Sequence, residues 1–253
     1  MNKLKLLQPT LTQAVMQQVE LPNRAAILDI GCGTAYWLLS FLQVFGDRIG
    51  TLIGIDKKGK GFAEFDTNGT NINMMKIDIL DGIAFPDESF DFIFSKDTLE
   101  CVPDKEKHIR EIHRLLKPDG FVICVHCDWD SIAINGSKKE IINKAIHNYA
   151  NWQQPWMDDL DSWAGRRLYA EFNRSGLFNN HVSVHTVIET EYSGGFSGYS
   201  YINDELKCLV THDTGLLSKS EFDDLLADMD ETYSNGGYLF AKPYYILKGT
   251  KKN

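Results

Sequence analysis

Leu28-Asp29-Ile30-Gly31-Cys32-Gly33-Thr34-Ala35 closes an apolar run that begins at Ala25 and opens a stretch, Thr34 to Phe45, with helical patterning. Glycines at such a strand-to-helix turn let the backbone bend sharply and let a ligand lie against main-chain amides. Outward from it, short apolar runs alternate with helical patterns as far as Cys127, which predicts parallel strands joined by crossover helices. Strands are expected at Ala25 to Ile30, Thr51 to Asp56, Asn73 to Ile77, Phe90 to Ser95 and Phe121 to Cys127. Between the last two, Lys105 to Leu116 sets Ile109, Ile112, Leu115 and Leu116 at helical spacing, and Lys117-Pro118-Asp119-Gly120 is expected to stop that helix.

Beyond Asp128 the pattern turns polar and aromatic. Helices are expected at Lys138 to Trp152, Arg166 to Arg174 and Ser220 to Glu231, and two more strands at His181 to Thr190 and Ala241 to Lys248. About 50 residues separate the fifth strand from the sixth, too many for an ordinary connection. The expectation is a single α/β domain over 1–253, doubly wound on a mostly parallel seven-stranded sheet, with a helical lid inserted at 131–177.

Composition narrows the partners. With 26 Lys+Arg against 35 Asp+Glu, the net charge is −9. Such a chain repels phosphate backbones, so no nucleic-acid partner is expected. Apolar runs such as Trp37 to Phe45 fall far short of the roughly 20 residues that span a bilayer, and no charged-then-apolar leader precedes residue 25. A cytoplasmic protein without membrane contact is expected. Five cysteines, an odd and scattered set, suit reduced thiols. Cys124 and Cys127 form one C-x-x-C, but on a strand their side chains point to opposite faces, so no metal is expected.

The glycine turn also selects a cofactor class. A dinucleotide site wants a third glycine where this chain has Tyr36, and Asp29 would repel a pyrophosphate while suiting a cation. Asp56 ends the second strand, placed to accept hydrogen bonds from two ribose hydroxyls. Asp78 ends the third, placed to accept from an adenine amino group, with the Ile79 amide facing the ring. Taken singly, a strand-end aspartate is more often a helix cap or a turn residue. Together at one sheet edge they describe an adenosine cradle.

These segments resemble class I S-adenosylmethionine-dependent methyltransferases. Leu28 to Gly33 matches the family's first motif, and Ile53-Gly54-Ile55-Asp56 the segment after it. Phe85-Pro86-Asp87-Glu88-Ser89-Phe90-Asp91 and Leu115-Leu116-Lys117-Pro118-Asp119-Gly120 match the branch acting on small molecules and ubiquinone-type acceptors. Ala35 departs from the family, which commonly has a third glycine there. The resemblance implies a Rossmann-like fold, S-adenosylmethionine as cofactor, and cofactor-binding groups at Asp29, Gly31, Cys32, Gly33, Asp56, Lys57, Asp78, Ile79, Ser95 and Lys96. It implies methyl transfer to nitrogen or oxygen of a small molecule. A protein methyltransferase and a catalytically idle cofactor-binding module are the alternatives.

For the acceptor, Asp97 and His126 are the candidate catalytic groups: Asp97 to orient or deprotonate, His126 as a general base near neutral pH. Trp129, Trp152, Trp156 and Arg166 are candidate substrate-binding residues. The tryptophans read either as packed helix contacts or as an aromatic pocket for a cationic acceptor, and Arg166 as a grip on a carboxylate. The sequence leaves the oligomeric state open.

Overall fold

A computed structural model describes residues 10–59 and 72–252. The strands are β1 (Ala25–Ile30), β2 (Ile49–Asp56), β3 (Ile72–Lys76), β4 (Phe90–Lys96), β5 (Leu116–Cys127), β6 (Ala133–Ile134), β7 (Phe178–Glu189) and β8 (Phe240–Lys251). The first five are parallel in the order β3-β2-β1-β4-β5, so the chain reverses direction of travel after β3 and leaves a crevice at the carboxyl ends of β1 and β4. β8 runs antiparallel between β5 and β7. Seven strands therefore stand as expected, and the eighth, β6, is a dipeptide that pairs with Ala241 and Phe240 beyond the end of β5.

The helices are α1 (Leu11–Met16), α2 (Tyr36–Phe45), α3 (Lys105–Leu115), α4 (Lys139–Ala150), α5 (Ala164–Ser175), α6 (Ser197–Ser200), α7 (Cys208–Thr211) and α8 (Lys219–Ser234). Alternation along each strand divides the core into two layers. Ile27, Phe92, Phe94, Ile123 and Val125 meet Trp37, Leu38 and Phe41 of α2, whereas Leu28, Ile93, Val122 and Cys124 meet Ile109, Ile112 and Leu115 of α3. None of these helices is long and apolar enough to cross a membrane.

Two local departures from expectation have physical causes. The Lys117-Pro118-Asp119-Gly120 segment is a bulge inside β5, because the pairing passes from Phe90 opposite Leu116 directly to Phe92 opposite Phe121. Asp91 holds the bulge, accepting from Lys117 Nζ at 2.7 Å and from the Ala26 amide at 2.8 Å through one oxygen. Helix α2 starts two residues late because Ala35 takes a left-handed conformation, φ 66°, with its amide bonded back to Cys32 O at 2.9 Å. An alanine there costs about 1–2 kcal/mol relative to the glycine of the family pattern.

The expected lid segment, 131–177, divides between two layers. Helix α4 packs through Ile142, Ala145 and Ile146 on Tyr201, Leu206 and Leu225, forming a helical cap with α8 and a π-helical turn, Tyr201–Leu206. Asp228 of α8 fixes its start by accepting from the Ser137 amide and hydroxyl and from the Lys138 amide, at 3.0, 2.6 and 2.9 Å. Helix α5 lies on the other face, burying Leu168 and Phe172 beside Phe178 and Leu247.

Candidate functional site

The carboxyl ends of β1, β2 and β4 open into a cavity of about 290 Å³, lined among others by Gly31, Asp56, Asp78, Ile79, Lys96 and Trp156. The glycine turn forms its floor. Gly31 has φ +76°, and a Cβ on it would run into the Thr98 hydroxyl, so the backbone approaches there as no other residue could. The Gly31 and Cys32 amides both donate to Ile55 O, at 2.8 and 3.1 Å. Asp56 accepts from the Gly33 amide at 3.2 Å and from the Lys58 amide at 2.8 Å, one oxygen each. Each carboxylate oxygen has a second lone pair, which leaves Asp56 able to accept from a ligand's hydroxyls. Asp78 caps the short turn 79–81, accepting from the Leu80 amide at 3.0 Å.

The outer wall comes from the loop between α4 and α5. Lys57 pairs with Asp158, and Lys58 lies 4.6 Å from the centre of the Trp156 ring. Trp156 thus stands beside the strand-end aspartates, joined to β2 by two consecutive lysines.

Asp29 sits behind the glycine turn, at the wall of a second depression, 1% exposed, and its Oδ2 has no hydrogen-bond partner among the described residues. Burial, with a further push from the charge of Asp56 and a partial offset from Lys96, raises its carboxyl to about 8. A buried orphaned carboxylate oxygen is costly until a donor or cation reaches it. An α-ammonium group supplies both. With Asp56 for a ribose and Asp78 and Ile79 for an adenine edge, the donors and acceptors present fit S-adenosylmethionine.

Around the end of β4 the side chains are tightly engaged. Ser95 and Thr98 both donate to Ile30 O at 3.1 Å, which ties β4 to β1. Lys96 pairs with Asp97, and Asp97, at φ 49°, accepts from the Cys127 amide at 2.9 Å. Burial would push the Asp97 carboxyl up, but Lys96 and His126 bring it below the usual carboxylate range. His126 is fully buried, and burial lowers it to about 4, so the ring is neutral. Its Nε2 accepts from the Leu99 amide at 3.1 Å, leaving the proton on Nδ1, 3.8 Å from Asp97 Oδ1. The ring therefore braces the 99–101 turn with its one lone pair. Glu100, raised to about 8 by burial and then by Asp97, accepts from Trp129 Nε1 at 2.6 Å.

Asp97, Glu100 and His126 bring ligand-type atoms within 4.8 Å of one another. As the chain stands, the His126 Nε2 lone pair is taken by the Leu99 amide and Asp97 is paired with Lys96. Cys124 and Cys127 belong to opposite layers of the core.

The structure does not bring the four candidate substrate residues together. Trp129 packs its ring under Lys242 Nζ at 4.0 Å, Trp152 meets the His212 ring at a tilt with centres 5.4 Å apart, and Trp156 faces the cavity. Arg166 forks onto the buried Asp128, donates to Ser131 Oγ at 2.7 Å, and lies 4.4 Å from the Trp163 ring centre.

A second depression, a groove of about 620 Å³, shares Gly31 and Lys96 with the cavity and continues on the other side of the glycine turn. Its lining includes Asp29, Trp37, His185, Ile188, Phe196 and Tyr244. Thr98 lines the cavity and His185 and Tyr244 the groove, three positions that the sequence reading did not single out. The strand pattern of β7 held the only available signal, since pairing of His185 with Tyr244 depends on register.

Residues 28–124 match a family model described as a methyltransferase domain. The chain is similar to the demethylmenaquinone methyltransferase of Staphylococcus carnosus, 29% identical over 47% of this chain and 50% of that one. To the protein of the same name from Lysinibacillus sphaericus it is 26% identical, over 71% of this chain and 78% of that one. The chain thus spans about half the length of the first of these curated relatives. Among solved structures, the YcgJ protein of Bacillus subtilis shares the fold, with a TM-score of 0.59 at 18% identity, covering 96% of this chain and 98% of that one.

Proposed function

We propose, for a chain with the fold, motifs and domain match of class I S-adenosylmethionine-dependent methyltransferases, that it transfers a methyl group to nitrogen or oxygen of a small molecule. The observation that carries this reading is the junction at Gly31 and Lys96, where a cofactor-sized cavity meets a separate groove. S-adenosylmethionine, when bound, supplies an electrophilic methyl on a sulfonium. The chain's own residues do the positioning: Asp56 and Asp78 hold the nucleoside end, Asp29 the ammonium, and Lys96 and Tyr244 border the passage to the groove. Orientation of this kind supplies much of the rate in an in-line displacement. The relatives named for demethylmenaquinone favour a second acceptor type, a ring carbon of an activated aromatic.

Release of labelled methyl to a panel of amines, phenols and quinols tests the proposal. Turnover with at least one class is expected. Cofactor binding with no transfer to any small molecule, but transfer to a protein extract, would favour the protein methyltransferase reading. Binding with neither would favour the idle module.

A further inference from the structure

Two imidazoles lie on the strands around the passage, and their lone pairs differ in use. That of His126 is taken by the Leu99 amide. His185 of β7 lines the groove together with Asp29, Gly31, Lys96 and Tyr244. Register places it there. His185 pairs with Tyr244, Tyr244 with Cys127, and Lys96 with Val125, two residues before Cys127 and so on the same sheet face. Lys96 Nζ lies 5.2 Å from the Tyr244 ring centre. A lysine, a tyrosine and an imidazole thus run in line from the cofactor cavity toward the edge strand.

The His185 ring is half-buried and no described residue hydrogen-bonds or ion-pairs with it; partial desolvation alone keeps it below its ordinary 6.5. At neutral pH it presents a free lone pair to the groove. The charged neighbours are accounted for. Lys96 pairs with Asp97, and Asp29 holds its proton to about 8. Glu189, farther along β7, accepts from the Ser197 and Gly198 amides at 3.0 and 2.7 Å. Tyr36 of α2 shares a hydrogen bond with Thr12 Oγ1 at 2.9 Å. The remaining wall combines the apolar side chains of Leu11, Trp37, Val187, Ile188 and Phe196 with the hydroxyls of Thr10, Thr12, Thr34, Thr186 and Ser197.

We propose that the part of this groove beyond Asp29 and the glycine turn, lined by Trp37, His185, Val187, Ile188, Phe196 and Tyr244, is the acceptor site, that it takes an uncharged aromatic molecule bearing a hydroxyl group, and that His185 removes the hydroxyl proton. The inference rests on the methyltransferase reading above. The oxygen–hydrogen bond breaks with its electron pair kept on oxygen, and the proton goes to the imidazole. The oxygen then bonds to the methyl group as the methyl–sulfur bond breaks, its pair remaining on sulfur to leave S-adenosylhomocysteine. His185 returns the proton to water through its exposed side.

The test is calorimetric titration of 2-naphthol into the full chain saturated with S-adenosylhomocysteine, with the His185 ring followed by NMR. The wild type is expected to bind 2-naphthol with one site and a shift of the His185 signals. His185→Asn should weaken that binding at least tenfold while S-adenosylhomocysteine affinity stays within twofold, and His185→Gln should do the same. His147→Asn, outside the groove, should change neither. Unchanged 2-naphthol affinity in both His185 variants, unmoved ring signals in the wild type, or no 2-naphthol binding to the saturated protein would overturn the proposal and leave the methyltransferase reading standing. Failure of S-adenosylhomocysteine to bind would remove both.

Discussion

The cavity and the groove meet at two residues but are built differently. The cavity is organised by backbone at the strand ends, with Gly31 at positive φ, the Lys58 amide aimed by Asp56 and a short turn capped by Asp78, and is walled from outside by Lys57, Lys58 and Trp156. The groove takes Asp29 and the glycine turn 31–34 as its inner side, and most of the rest of its wall is side chains from α1, α2, β7, β8 and the start of α6, elements far apart in sequence. A backbone-built site tolerates almost no change and suits a ligand that stays the same. A side-chain-built site can be recut without disturbing the sheet, which suits an acceptor that differs from one relative to the next.

The sharpest break of this contrast is Gly31→Val. The side chain would collide with Thr98 and require a left-handed conformation that β-branched residues avoid, at a cost of about 1–3 kcal/mol. S-adenosylhomocysteine affinity measured by calorimetry should fall by two orders of magnitude or more. Near-normal affinity would show that the cavity does not depend on backbone approach.

Asp56→Ala comes next. It removes an acceptor for the ligand and frees the Gly33 and Lys58 amides, and a loss of about 1.5–3 kcal/mol in cofactor affinity is expected, the range for hydrogen bonds to a charged group. An unchanged affinity in a folded variant would remove Asp56 from the site.

The pH response tests Asp29, behind the glycine turn. Below about 8 the free protein keeps Asp29 protonated, so binding of an ammonium must release that proton. Cofactor affinity should rise with pH up to about 8, approaching tenfold per unit, and Asp29→Asn should flatten the profile. Folding stability should move the other way. The unfolded carboxyl ionises near its ordinary 3.8 while the folded one waits until about 8, so the Asp29 contribution to stability falls as pH rises through that window. Proton release is read by titration in buffers of different ionisation enthalpy. No release between pH 6 and 7.5 would contradict the placement of the ammonium.

The smallest effect is expected at Trp156, whose ring covers the cavity from outside under Lys58. Trp156→Ala should weaken S-adenosylhomocysteine about three- to tenfold. Hydrogen exchange in 151–163 should slow when the ligand binds, as ordering a loop reduces local opening. A variant with unchanged cofactor affinity but poorer acceptor use would move Trp156 to the groove side.

The same contrast explains what was legible in the sequence. Strands β1 to β5 and the cavity residues Gly31, Asp56 and Asp78 were readable because buried parallel strands are continuous apolar runs and their ends carry turn chemistry. The groove was not, because His185 and Tyr244 become neighbours only through antiparallel pairing across 59 positions of chain. Arg166 read as a free grip because its partner Asp128 lies 38 residues away. The bulge at Lys117 to Gly120 read as a stop because turn residues signal a bend without saying whether pairing resumes beyond it. The segment 190–217 escaped altogether, since its π-helical turn breaks the 3.6-residue period by which helices are recognised.

The most direct measurement is a side-by-side calorimetric titration of the wild type with S-adenosylmethionine and NAD. The structure predicts one S-adenosylmethionine site per chain and no appreciable NAD binding, because Tyr36 stands where a dinucleotide turn needs its third glycine and Asp29 puts a carboxyl where phosphates would lie. NAD binding as tight as that of S-adenosylmethionine, or tighter, would contradict it.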